Sequence, residues 1–180
     1  MHIECTPDAP MMDTLDHLPP LPLIVNYWPR STNRQMEQDE LTIYQALRQY
    51  GRVRHIRLSL PHSIFHKALA LMNEHFPILE HLRLLCFDRK YWLPPTLPEA
   101  FLAPNLRHLT VVGVDLPKGL QVLTSTVSLV NLSLDNIQTS GYFCPRLLVA
   151  RLQSLPLLEE LSVTFSIPIP HHGTERELLG

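Results

Sequence analysis

The sequence predicts an α/β fold: a leucine-rich-repeat solenoid with a parallel strand sheet on its concave side and helices and turns outside. A phrase of the form apolar-x-x-apolar-x-apolar recurs five times, beginning at positions 53, 79, 106, 129 and 158. Steps of roughly 25 residues are typical of leucine-rich repeats, in which each unit contributes one short strand and a helix or turn. The five copies are Val53-Ile56-Leu58, Leu79-Leu82-Leu84, Leu106-Leu109-Val111, Leu129-Leu132-Leu134 and Leu158-Leu161-Val163.

The distribution of proline supports the same division into repeats. The chain has 17 prolines and only 6 glycines. Proline lacks an amide donor and interrupts regular structure, so prolines beside the phrases mark the boundaries between elements. These boundary prolines are Pro61, Pro77, Pro104, Pro117, Pro145 and Pro156.

Composition excludes several classes of protein. Hydrophobic residues make up 45% of the 180 residues, which is too many for a chain that is disordered throughout. The net charge is −2 and the pI is about 6.5, so the basic footprint of a nucleic-acid binder is absent from the sequence. No run of about 20 apolar residues occurs, and we therefore expect no membrane partner.

The first elements are predicted from apolar spacing. Residues 21–28 form a continuous apolar run of strand length and serve as an irregular first repeat. Residues 37–50 predict a helix, in which Leu41, Tyr44, Leu47 and Arg48 share one face at spacings of three and four.

The later elements alternate between helices or turns and strands. Residues 61–75 predict a second helix and residues 145–155 a third, whereas residues 118–126 allow one or two helical turns at most. Three prolines within residues 88–102 predict a loop there. The repeat strands are predicted at residues 53–60, 79–85, 106–112, 129–134 and 158–163.

Three segments are expected along the chain. Residues 1–20 are predicted to be an irregular N-terminal lead-in, residues 21–166 the leucine-rich-repeat region, and residues 167–180 a proline-containing break followed by an incomplete further repeat. A solenoid needs a polar cap at each open end. Because no clear cap is recognisable, the chain is also interpretable as a fragment of a longer array.

The alternation of a strand assigns residues to an exposed face that is predicted to bind a protein partner. The first, fourth and sixth positions of each phrase point inward, so the third, fifth and seventh line the concave face. This face begins basic and ends acidic, which would orient an approaching partner. The alternative is that these are ordinary solvated strand residues. The candidate binding residues are His55, Arg57, His81, Arg83, His108, Thr110, Asn131, Ser133, Asp135, Glu160 and Ser162.

Two aromatic pairs are candidate interface anchors. Trp28 follows Tyr27, and Trp92 follows Tyr91. Large aromatic side chains dominate many binding interfaces. Tyr91 and Trp92 are the preferred candidates because they fall in the predicted irregular loop, although packing in the core is the alternative for both pairs.

The sequence offers no pattern typical of catalysis, so we expect no enzyme, no cofactor and no metal. His62 and His66 have a metal-ligand spacing, but no third ligand accompanies them. No phosphate-binding glycine loop and no G-x-S-x-G motif occurs. Cysteines 5, 86 and 144 are odd in number and no signal peptide opens the chain, which predicts a reducing intracellular location, cytoplasmic or nuclear.

Several stretches together resemble the leucine-rich-repeat part of fungal F-box proteins. They are LPLIVNYW, ALRQYGRVRHIRLSLP, FPILEHLRLL and LAPNLRHLTVVGVDLP, and the resemblance runs over residues 21–179. It implies the substrate-recognition subunit of a ubiquitin ligase, whose repeats hold the protein to be ubiquitinated. No F-box is recognisable in the chain, so binding of the ligase adaptor is expected only if an F-box lies outside it.

The sequence departs from that pattern at one turn position. Standard leucine-rich repeats carry an asparagine near the ninth position, whereas Phe87, Val114 and Ile137 stand there in this chain. We therefore expect apolar packing to replace the amide ladder at the turn.

The function that the sequence favours is protein–protein recognition, as the substrate-binding repeat region of an F-box-type receptor. Two alternatives remain. One is a truncated or vestigial repeat fragment with only a structural role. The other, more distant, is a thiol or metal enzyme.

Overall fold

Seven parallel strands lie side by side in chain order in the computed structural model, which describes residues 3–5, 21–28, 33–87, 93–118, 120–138 and 141–166. A short first strand is followed by six longer ones. The strands are β1 (Ile3–Cys5), β2 (Leu23–Tyr27), β3 (Val53–Leu60), β4 (His81–Cys86), β5 (His108–Val112), β6 (Asn131–Ile137) and β7 (Glu160–Phe165).

Four helices lie between strands in the described part of the chain. Helix α1 (Asn33–Arg48) joins β2 to β3, α2 (His62–Ala70) joins β3 to β4, α3 (Gln121–Ser125) joins β5 to β6, and α4 (Pro145–Leu152) joins β6 to β7. None of these helices is long and apolar enough to cross a membrane. The prediction of an α/β protein with a parallel sheet is confirmed.

The repeat phrase sets the register of the sheet. Ile56 pairs with Leu82, Leu82 with Leu109, and Leu109 with Leu132, so the fourth positions of successive phrases form one row. The sixth positions form a second row in the same way. Both rows face the core and are at most 2% exposed from β3 to β6. Burial of these apolar side chains is the main source of stability for the sheet.

Helix α1 packs against β2 and against α2 on the core side of the sheet. The buried residues of the two helices recur at helical spacing, as expected for one apolar face. In α1 the buried face consists of Ile43, Ala46 and Leu47, while Leu41 is 53% exposed. Of the predicted face, Leu47 is buried and Tyr44 packs against the core, whereas Leu41 and Arg48 are exposed. The buried residues of α2 are Ile64, Phe65, Ala68 and Leu69.

The fifth copy of the phrase does not share the burial of the first four. Leu161 on β7 is 48% exposed, although its counterpart Leu132 on β6 is 1% exposed. No residue of α4 is buried. Strand β7 is the last of the sheet, and within the described residues no further strand or helix packs over it.

Two of the three unusual turn residues pack as predicted. Val114 is 1% exposed and Ile137 is 2% exposed, whereas Phe87 is 48% exposed. Apolar packing thus replaces the amide at the turn after β5 and at the end of β6, but not at the turn after β4.

The irregular connection before β5 lies where the prolines predict it. Residues 93–102 contain no helix or longer strand, only single bridges at Thr96 and Leu102. Strand β1 lies within residues 1–20, for which an irregular lead-in is predicted. Residues 167–180, the predicted incomplete repeat, lie outside the described residues.

Candidate functional site

The eleven candidate binding residues lie on the side of the sheet opposite the leucine rows, in a surface that we call the strand face. Parallel pairing aligns them in rows across β3 to β7. One row contains His55, His81, His108, Asn131 and Glu160, the next contains Arg57, Arg83, Thr110, Ser133 and Ser162, and Asp135 belongs to a third.

The strand face is basic at one side and acidic at the other. Arg57 and Arg83 are exposed on neighbouring strands and pair in register. Asp135 on β6 and Glu160 on β7 are their acidic counterparts, two and three strands away from Arg83. The gradient of charge follows directly from the order of the repeats in the chain.

The carboxylates at the acidic side already have partners on the strand face. The Asn131 amide donates a hydrogen bond to Glu160. The hydroxyls of Ser133 and Thr164 each donate to Asp135, at 3.0 Å in both cases. These bonds engage both oxygens of Asp135 and one oxygen of Glu160, which leaves the carboxylates less available to a partner.

The basic side, in contrast, contains a cavity of about 210 Å³. Among the residues that the structure describes, neither Arg57 nor Arg83 forms an ion pair with a carboxylate. Like charges opposite each other in a sheet destabilise one another. We call this the arginine cavity; it is lined by Asn26, Tyr27, Trp28, Arg57, Leu58, Ser59, Arg83 and Leu85.

Trp28 forms the aromatic part of the arginine cavity and is 61% exposed. The sequence indicates Trp28 as a possible anchor but favours Tyr91 and Trp92, which lie outside the described residues. Trp28 directly follows β2, and β2 pairs with β3. This pairing brings Trp28 close to Arg57 on β3. Spacing in the sequence does not reveal that proximity.

The rings of three histidines contact one another along the first row of the strand face. The rings of His55 and His81 are 4.3 Å apart edge to face, and those of His81 and His108 are 4.2 Å apart and nearly parallel. Burial, followed by the neighbouring His55 and His108, lowers the pKa of His81 to about 4. His81 is therefore uncharged at neutral pH.

Glu80 lies beside this histidine row and is not among the site residues that the sequence predicts. Its carboxylate accepts an ion-paired hydrogen bond from Arg54 at 3.0 Å and lies 4.0 Å from the His55 ring. The bond from Arg54 lowers the pKa of Glu80 below its ordinary value. The residue precedes β4, so strand alternation gives no reason to place it with His55.

A second cavity, of about 370 Å³, lies among the loops that lead into β4 to β7. It is open to solvent, and both polar and apolar side chains line it. Glu80 and Arg107 are its charged residues, and Leu157 is an exposed apolar one. No cluster of reactive side chains lines it.

The remaining candidates from the sequence do not form a catalytic group in the described structure. The His62 and His66 rings lie with their Nε2 atoms 3.2 Å apart, and His62 also contacts the Leu93 carbonyl oxygen. Within the described residues no third ligand joins this pair. Cys86 is buried and Cys144 is exposed.

Comparison of the chain with protein-family models, with curated proteins and with solved structures gives no match.

Proposed function

We propose that this chain is a protein-recognition module that binds an acidic segment of its partner in the arginine cavity of the strand face. The observation that carries the proposal is the register pair Arg57 and Arg83, exposed beside Trp28 and without carboxylate partners in the described structure. Guanidinium groups bind carboxylates through paired hydrogen bonds, and an aromatic side chain adds apolar contact area.

The proposal includes the architecture of a leucine-rich-repeat solenoid with the strand face on its concave side. Two observations support it: the sheet is parallel and runs in chain order, and each repeat phrase supplies one strand. Solenoids bind partners through such extended strand surfaces. The resemblance to fungal F-box proteins extends the proposal to a substrate receptor of a ubiquitin ligase. An adaptor would then bind only through an F-box outside this chain.

A repeat fragment with only a structural role is the second candidate. The observation in its favour is the exposed fourth position of the fifth phrase, since Leu161 on β7 remains 48% exposed. A unit that stacks on further repeats would bury this leucine. This candidate differs from the first in requiring no partner at the arginine cavity.

The test is affinity capture of partners with two matched charge reversals. In the test variant Arg57 and Arg83 are both changed to Glu, and in the control variant Arg48 and Arg146, which are exposed on α1 and α4, are changed in the same way. Both variants change the net charge equally, so a nonspecific effect of charge affects both. Circular dichroism and urea unfolding check that each variant folds.

Quantitative mass spectrometry then compares the captured proteins from extracts of the cells that make this chain. We expect a partner that the wild type and the control variant capture and that the test variant loses by about tenfold or more, a difference of about 1.4 kcal/mol in binding. Equal capture by all three proteins would refute the role of the arginine cavity. Capture of chaperones alone would favour the structural fragment.

A further inference from the structure

We propose that His55, Glu80 and His81 form a binding site for a transition-metal ion such as zinc. The inference is independent of the proposed function, because none of these side chains lines the arginine cavity. One ligand atom from each of the three residues lies within 4.8 Å of the other two. Two imidazoles and one carboxylate are a ligand set that zinc uses in proteins, with a fourth position open to solvent.

The fold brings the three ligands together from two neighbouring strands. His55 and His81 are in register on β3 and β4, so their side chains leave the same face at adjacent positions. Glu80 immediately precedes His81, and its Oε2 atom lies 4.0 Å from the His55 Nε2 atom. Sequence separation hides this set, since His55 and His81 lie in different repeats.

Small side-chain movements close the site around an ion. Ligands bound tetrahedrally at about 2.0–2.1 Å lie about 3.4 Å apart, so the three atoms need to approach by about 1 Å. All three residues are only partly buried, which leaves room for such a rotation. His108 stacks on the His81 ring with 12° between the ring planes and limits the orientations of His81.

The ligand set selects the type of metal. Arg54 donates a hydrogen bond to Glu80 at 3.0 Å. Arg54 does not bind the ion itself but orients the carboxylate that does. Only one of the three ligands is a carboxylate, so an ion that depends on several negative oxygens, such as calcium, is disfavoured. Zinc, nickel and copper form strong bonds with neutral imidazole and fit this environment better.

Titration calorimetry of the full chain with zinc chloride tests the proposal. We expect the wild type to bind one ion, the double variant His55→Gln with His81→Gln to lose this binding, and Glu80→Gln to weaken it by at least about tenfold. The matched control is His62→Gln with His66→Gln, which removes a second histidine pair at the same number of substitutions. It should bind zinc as the wild type does.

Either of two results would overturn the site: absence of binding at millimolar zinc, or loss of binding in the His62/His66 control and not in the His55/His81 variant. Copper-induced broadening of imidazole resonances in the wild-type protein tests the same claim without a substitution. The resonances of His55 and His81 should broaden first. Broadening that begins at any other histidine would contradict the proposal even if the variants fail to fold.

Discussion

At the scale of single residues, the exposure of each leucine determines its contribution to stability. Leu109 on β5 is fully buried, whereas Leu161 occupies the same position of the phrase on β7 and is 48% exposed. Equal positions in the repeat therefore have different energetic weight, which the sequence pattern alone does not distinguish.

Substitution of these two leucines measures the difference. Leu109→Ala should lower the free energy of unfolding by about 2–5 kcal/mol, because it removes buried methyl groups and leaves a cavity. Leu161→Ala should cost less than about 1 kcal/mol, as expected for a partly solvated site. Urea unfolding of both variants gives the values. Equal costs would mean that the register or the edge position of β7 is wrong.

The histidine row makes stability depend on pH. The pKa of His81 is about 4 in the folded chain and near its ordinary value of 6.5 in the unfolded one. Between these values the unfolded chain takes up a proton that the folded chain does not, so stability falls as the pH decreases from 6.5 toward 4. The lowered pKa of Glu80 also reduces stability as the pH falls, but only below about its ordinary value of 4.5, which is lower than most of the range from 6.5 to 4.

Urea unfolding at neutral pH and at about pH 5, in buffer with a chelator, checks this dependence. The wild type should lose stability at the lower pH, and His81→Gln should lose distinctly less. A variant with the same decrease as the wild type would show that His81 titrates normally in the folded chain.

Much of the strand face is predictable at this scale because strand alternation is strictly periodic. Once a phrase such as Val53-Ile56-Leu58 is assigned inward, His55 and Arg57 must point outward. Glu80 and the site role of Trp28 escape prediction for the opposite reason. Each falls inside a strand that the sequence predicts but just outside the strand that forms, so alternation does not fix the direction of its side chain.

At the scale of elements, strands are easier to predict than helices and turns. The strand β3 lies where the phrase places it, at Val53–Leu60. The predicted apolar face of α1 is right at Leu47 and wrong at Leu41, because Leu41 and Ile43 both fit an apolar spacing. Only packing against the strands selects Ile43. Several apolar spacings coexist in a leucine-rich chain, and tertiary contacts decide among them.

The turn after β5 depends on a glycine that the repeat pattern does not identify. Gly113 has a φ of +65°, a left-handed conformation that side chains disfavour. A Cβ atom there would lie 2.9 Å from the Cys86 carbonyl oxygen on the neighbouring β4. At Gly51, in contrast, a Cβ atom would meet no other atom within 4 Å, and the φ of this residue is not in the left-handed region.

Alanine substitution at both positions separates the specific need for glycine at position 113 from the general effect of replacing a glycine by alanine. Gly113→Ala should lower the free energy of unfolding by about 1–3 kcal/mol through backbone strain and the close contact. Gly51→Ala should change it by no more than about 0.5 kcal/mol. Thermal or urea unfolding provides the comparison, and a neutral Gly113→Ala would contradict the described turn.

At the scale of the whole molecule, the chain order of the parallel sheet explains both the continuous core and the exposed end. Neighbouring strands bury each other's leucines, so in the described part of the chain the last strand β7 is the one on which the fourth position of the phrase, Leu161, remains exposed. The period of the phrase predicts the order of strands. It does not predict the exposure of Leu161, because burial depends on which elements pack against β7 in space.

The same order produces the gradient of charge across the strand face. Basic residues of the early repeats and acidic residues of the late ones are separated because the strands keep the sequence of the chain. The central claim is that this surface, and not the helical side, meets the partner. The sequence predicts the surface, whereas the cavity between Trp28, Arg57 and Arg83 is visible only in the fold.

Site-specific photocrosslinking tests that claim most directly. A photoreactive phenylalanine analogue is placed at Thr110, which neighbours Arg83 on the strand face, or at Val149, which is 53% exposed on α4. Both proteins are irradiated in extracts of the cells that make the chain. We predict a partner crosslinked from position 110 and absent from position 149. Crosslinking from position 149 alone would contradict the claim, because the partner would then bind the helical side.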